Sequence, residues 1–179
     1  MNPHPVPIAP QARIGHVHLK VADLERALRF YRDVLGFEVQ QRLGNAAAFL
    51  SAGGYHHHLG LNTWDSAGGS PPPPGSTGLY HLAIVYPSRV ALAVALRRVL
   101  AAGIALEGAS DHGVSEALYL RDPDDNGVEL YWDRPEMIWP RTPDGALAMD
   151  TRRLDLHALL AETADSDEPP DPGPGPTDL

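Results

Sequence analysis

The stretch IGHVHLKVADLERALRFYRDVLGFEV, residues 14–39, carries the fold in its spacing. Its first eight residues alternate, with Val17, Leu19 and Val21 on one side and His16 and His18 on the other, the pattern of a half-buried strand. Asp23 then predicts an N-cap, Leu24, Ala27, Leu28, Tyr31 and Leu35 an apolar helix face, and Gly36 a stop. The same grammar returns downstream: Leu79–Tyr86 as strand, Ser88 as cap, Val90–Leu100 as helix, Gly103 as stop. His16 and His81 hold equivalent places, each followed by its stopping glycine 20 or 22 residues on. Each half has room for two more strands, Ala46–Ser51 and His56–Asn62 in the first, Glu116–Arg121 and Val128–Trp132 in the second. Each half therefore reads βαβββ. The expected class is α+β, with tandem modules forming a curved mixed sheet around a shared cavity and matched positions facing each other.

Around these modules, composition marks the borders. Residues 65–78 (DSAGGSPPPPGSTG) are a Gly/Ser/Pro linker between a first module, 13–64, and a second, 79–135. Residues 1–12 read as a flexible arm. The segment 136–162 reads as an extension with a short amphipathic helix, through Leu154, Leu156, Leu159 and Leu160, that docks on the body or on a partner. Residues 163–179 hold five acids, no bases and five prolines, which predicts a disordered tail. The 179 residues carry 14 Lys plus Arg against 23 Asp plus Glu, a net charge of −9, which argues against a nucleic-acid surface. The start has no apolar signal core, and Val90–Leu96 is too short to cross a bilayer, so no membrane or secretion role is expected. With no Cys there is neither disulfide nor thiolate chemistry, in keeping with a reducing cytoplasm.

A metal would have to use His, Asp or Glu, and the chain has nine His. A lone strand histidine is usually structural, but His16 and His81 recur at matched positions, which brings their imidazoles to one end of the cavity. Glu129 supplies a carboxylate: in DPDDNGVELYWD it opposes Val128, Leu130 and Trp132, where burial requires a metal or a base beside it. Two His and one Glu make a facial triad with open positions, the set expected of non-haem Fe(II) oxygen chemistry. In YHHHLGLNTW (55–64), parity sends His56 and His58 to one side and His57 to the other, and matching Leu59 to Leu130 sets His58 against Glu129 as a natural fourth ligand. His18 shares the face of His16 and joins His58 as a candidate substrate contact.

These segments resemble the vicinal oxygen chelate superfamily, which includes glyoxalase I, bleomycin-resistance proteins and type I extradiol dioxygenases. The likeness covers residues 13 to about 135. YHHHLGLNTW and DHGVSEALYLRDPDDNGVELYWD are typical of its compact catechol 2,3-dioxygenase-like members. The resemblance implies Fe(II), with Mn, Zn or Ni as alternatives, held by His16, His81 and Glu129. It implies an acid/base histidine at His57, against the parity argument for His58, with a strand bulge as the reconciling device. His112, in His-Gly-Val-Ser, and Tyr119 fall on its second-sphere pair, although the spacing between them is two residues shorter than the pattern. The implied reaction is ring cleavage of a catechol-type aromatic by O2, with protons handled near His57. Rivals are a glyoxalase-type isomerase with His58 as fourth ligand, another oxygenase or metal-binding protein on this scaffold, and a metal-free binder of the bleomycin-resistance kind. A homodimer is the expected assembly, because edges of such small modules often pair between chains.

Overall fold

In the computed structural model, residues 6–163 are described. The first module comprises β1 (Val17–Lys20), α1 (Leu24–Leu28), β2 (Glu38–Leu43), β3 (Ala47–Ser51) and β4 (Leu59–Asn62). The second comprises β5 (Leu82–Val85), α2 (Arg89–Ala101), β6 (Leu106–Asp111), β7 (Ser115–Arg121) and β8 (Gly127–Asp133). Both expected caps form: Asp23 accepts from the Arg26 N–H and Ser88 from the Ala91 N–H. Both stopping glycines take positive φ, +89° at Gly36 and +70° at Gly103. The first helix is shorter than its apolar face suggested, because Arg29–Val34 continue it as a π-helical turn.

The sheets are two, of order β1-β4-β3-β2 and β5-β8-β7-β6-β9, where β9 is Arg152–Arg153; at one edge of each, β1 runs parallel to β4 and β5 parallel to β8. Among the described residues no strand of one sheet pairs with a strand of the other. Their helix-side faces share one core, with Leu19, Leu28, Tyr31 and Leu61 from the first module and Leu92, Leu96, Leu118 and Leu130 from the second. The turn at Asp122–Asn126 ties the modules together. Asp122 Oδ2 accepts from Tyr31 Oη at 2.9 Å, and Asp124 Oδ1 accepts from the Ala22 N–H and from Arg26 Nη2.

No strand or helix forms between Thr63 and His81. The extension docks on the body. β9 (Arg152–Arg153) adds to β6, and α3 (Leu156–Ala161) lies on α2 with Leu159 fully buried. Its anchor is the buried carboxylate of Glu116, which accepts from Arg89 and Arg134, each at 2.8 Å, while Arg89 also pairs with Glu162. Thr163, assigned by composition to the tail, is buried and bonds Arg97; the rest of that tail, 164–179, and residues 1–5 of the arm lie outside the described residues. Among the described residues no helix is long and apolar enough to cross a membrane.

Candidate functional site

The candidate residues form two clusters, one at each sheet. At the first, His16, His18 and His57 bring one ring nitrogen each within 4.8 Å of one another. Their ring centroids are 4.4 Å apart for His16 and His57 and 5.4 Å for His16 and His18. His57 also packs on Phe49, and its buried Nε2 has no hydrogen-bond partner. Burial, then the neighbouring imidazoles led by His16, hold His57 below the usual histidine pKa, which favours the neutral ring.

Strand register settles the relation between the repeats. Val17 pairs with Leu59 and His18 with Gly60, while Leu82 pairs with Val128 and Ala83 with Glu129. The counterpart of Glu129 is therefore Gly60, and the sequence matching of His58 to Glu129 is out by two residues. The reason is local: β4 begins only at Leu59, and 52–58 form turns and bends, where strand parity does not apply. His57 reaches His16 without a bulge. His58 stays outside that cluster, its Nδ1 accepting from the Ala52 N–H at 3.3 Å and its ring stacked on Tyr55. The space where a side chain at position 60 would lie is filled by the His18 ring, since a Cβ there would stand 2.6 Å from His18 Nε2.

The second cluster is a chain of polar contacts. His81 Nε2 lies 2.9 Å from Glu129 Oε2, the other glutamate oxygen accepts from Tyr119 Oη at 3.2 Å, and Tyr119 Oη lies 2.8 Å from His112 Nε2. Gly127 makes this possible, because any Cβ there would collide with the Tyr80 carbonyl oxygen, just ahead of His81. His112 Nδ1 faces the Asp150 carbonyl at 3.0 Å. A carbonyl only accepts, so Nδ1 donates to it and Nε2 is the nitrogen that faces the Tyr119 hydroxyl. Burial, reinforced by the Glu129 carboxylate, pushes Tyr119 up to about 12, so the phenol is a donor at neutral pH. A groove of about 400 Å³ opens over this cluster, lined by Tyr80, His81, His112, Tyr119 and Thr151.

Imidazole nitrogens and one carboxylate, with no thiolate in the chain, suit a first-row divalent metal such as Fe(II), Mn, Zn or Ni. The orphaned His57 Nε2 beside His16 and His18, and the convergence of His81 on Glu129, each suit a cation at its own cluster. Within one chain, however, His16 is not in reach of the other two: among the described residues, no group of metal-binding atoms, hydrogen bond or ring contact joins it to His81 or Glu129. Sequence reasoning missed three contributors: Gly60, Gly127 and the Asp150 carbonyl behind His112. The last carries no side-chain signal.

Residues 13–130 match the family model described as "Glyoxalase/Bleomycin resistance protein/Dioxygenase superfamily". The chain is 45% identical over 152 residues to the catechol-2,3-dioxygenase of Bacillus subtilis (strain 168), covering 85% of this chain and 52% of that protein. It is 34% identical over 123 residues to a biphenyl-2,3-diol 1,2-dioxygenase of Rhodococcus globerulus, covering 68% and 63%. It thus spans about half to two thirds of the length of these relatives. A solved glyoxalase/dioxygenase from Nostoc punctiforme superposes with a TM-score of 0.60 at 21% identity, over 74% of this chain and 99% of that one, a likeness of fold.

Proposed function

The chain belongs to the glyoxalase/bleomycin resistance protein/dioxygenase superfamily, and within it we propose an Fe(II)-dependent extradiol dioxygenase that cleaves a catechol-type aromatic with O2. The observation that carries this reading is Gly60 at the counterpart position of Glu129. A carboxylate there would complete a four-donor set. A glycine supplies no donor, so the set that the family resemblance implies, His16, His81 and Glu129, would hold a metal with three donors and leave positions for two substrate oxygens and a gas molecule. Identity to dioxygenases of catechols and biphenyl-diols supports the same substrate class.

When bound, the metal would act as template and Lewis acid for the substrate oxygens. The chain's own residues handle protons and orientation. His57, neutral and without a partner at Nε2, can take the proton of a substrate hydroxyl and return it later. Tyr119 holds a donor beside Glu129, and His112, clamped by the Asp150 carbonyl, can reload the phenol from behind. The absence of cysteine suits work in a reducing cytoplasm.

Anaerobic loading with Fe(II), followed by catechol and air, tests the reading through the yellow absorbance of a ring-opened semialdehyde. A second reading, a different metal-dependent reaction of the superfamily, is favoured by His18, whose ring nitrogen lies within 4.8 Å of that of His16 and could serve as a fourth donor. It predicts bound metal without yellow product.

A further inference from the structure

We propose that the C-terminal extension belongs to the functional site: the backbone of Asp150 and the hydroxyl of Thr151 fix the neutral His112 ring in its Nδ1–H form, and so keep Nε2 bare toward Tyr119. The tautomer stands on geometry alone. Its consequence for turnover rests on the reading of His112 and Tyr119 as proton-handling groups of a dioxygenase.

The extension grips His112 twice. Asp150 donates its N–H to the His112 carbonyl at 3.3 Å and presents its own carbonyl oxygen to His112 Nδ1 at 3.0 Å. Thr151 Oγ1 lies 3.2 Å from the same nitrogen. A carbonyl offers no proton, so the Asp150 contact is met only when Nδ1 carries one. Which ring nitrogen of a neutral histidine is protonated follows from the partner it is given. Water favours Nε2–H; the Asp150 carbonyl reverses that preference. Nε2 then accepts from the Tyr119 hydroxyl, whose proton lies between His112 at 2.8 Å and Glu129 at 3.2 Å. With the hydrogen on Nε2 instead, the phenol oxygen could only accept from the ring, and the neutral ring could take no proton from the phenol.

The surroundings hold this grip in place. β9 pairs with β6, Arg152 opposite Asp111 and Arg153 opposite Ser110. Asp111 accepts from the Gly113 N–H at 2.8 Å and from Arg134 at 3.1 Å, which shapes the turn that carries His112. Gly113 has φ +76°, and a Cβ there would stand 3.0 Å from Pro140 and 3.6 Å from the Asp150 carboxylate, so the glycine lets the extension lie against that turn. Thr151 also lines the groove over His81 and Tyr119, which brings the extension to where a substrate would lie. Pro140, Asp150 and Thr151 all fall beyond residues 13–130, the part matched by the family model.

Nuclear magnetic resonance of the full chain labelled with nitrogen-15 histidine reads the tautomer directly, at about pH 8.5 where an ordinary histidine is neutral. The His112 signals, identified as those missing from His112→Gln, should show hydrogen on Nδ1 and none on Nε2. Asp150→Pro deletes the N–H that the His112 carbonyl accepts and should release the segment, so that the signals move toward Nε2–H. In the Fe(II)-loaded enzyme its kcat should fall about tenfold with KM little changed. Asp150→Ala keeps both backbone groups and should keep Nδ1–H. Thr151→Val should move the signals part of the way and Thr151→Ser restore them, a comparison that leaves the backbone intact. Nε2–H in the wild-type chain, or signals unmoved in both Asp150→Pro and Thr151→Val, overturns the proposal. Because the tautomer is read without turnover, the two readings fail separately. Nδ1–H without ring cleavage leaves the positioning role standing and removes the dioxygenase; ring cleavage by a chain whose His112 is Nε2–H does the reverse.

Discussion

The imidazole of His18 occupies the room that a side chain at Gly60 would need, 2.6 Å from an ideal Cβ. Because Gly60 is the counterpart of Glu129, this contact separates a three-donor from a four-donor centre. Gly60→Glu should displace the His18 ring, which is free to turn toward solvent, and offer a fourth donor. The expected result is metal retained or held more tightly, with ring cleavage lowered at least tenfold, or ~1.4 kcal/mol in the barrier. Titration with Fe(II) under argon and an oxygen electrode would read both; undiminished cleavage would remove Gly60 from the argument.

Tyr119 bridges His112 and Glu129 through its hydroxyl. Tyr119→Phe keeps the ring and removes the proton carrier. Turnover should fall about 10²–10³-fold, as for loss of a general acid–base group, with metal content unchanged. A variant that lost its metal instead would show the phenol to be a support for Glu129 alone.

Glu116 accepts from two arginines while almost wholly buried, and through Arg89 and Glu162 it fastens the C-terminal extension. Glu116→Ala removes the buried carboxylate between two arginines that each keep a second, more exposed partner, Glu162 for Arg89 and Asp111 for Arg134, which should cost about 1.5–3 kcal/mol. Urea denaturation should report that loss. Limited proteolysis should cut first between Arg134 and Arg152.

Alkaline pH tests the joint between modules. Burial, then the Asp122 and Asp124 carboxylates, hold Tyr31 well above its ordinary value of 10.0. The folded state therefore keeps a proton that the unfolded chain releases near pH 10. The stability from this contact is whole below that pH and declines as pH rises from there toward the folded value. Tyr31→Phe should remove this part of the slope, seen as a flatter melting temperature between pH 9 and 11, while costing about 1–2 kcal/mol at pH 7 for the lost hydrogen bond to Asp122 Oδ2, which keeps Asn126 as its other donor.

Much of this was legible in the residues. Alternation in IGHVHLKV, the caps Asp23 and Ser88, and the stops Gly36 and Gly103 gave both modules their strands and helices, because period and terminus chemistry are local. His112 and Tyr119 were singled out only through the family resemblance, and nothing in the sequence foretold the contacts that run from His81 through Glu129 to them. The register of the fourth strand was not legible either: YHHH resembles a strand by composition, yet Gly53 and Gly54, both at positive φ, turn the backbone there and delay β4 to Leu59. Nor was the packing of the modules, since matched repeats say which residues are equivalent and nothing about whether they meet inside one chain. The extension's place on β6 and α2 depended on long-range partners, Glu116 above all, that no window of sequence contains.

Oxygen consumption against ring opening is the most direct measurement. With Fe(II)-loaded protein and limiting catechol, one O2 should disappear for each yellow ring-opened product formed, and His81→Ala should show neither. Bound Fe(II) with no oxygen uptake across simple catechols and biphenyl-diols, or uptake with no ring-opened product, would contradict the extradiol account.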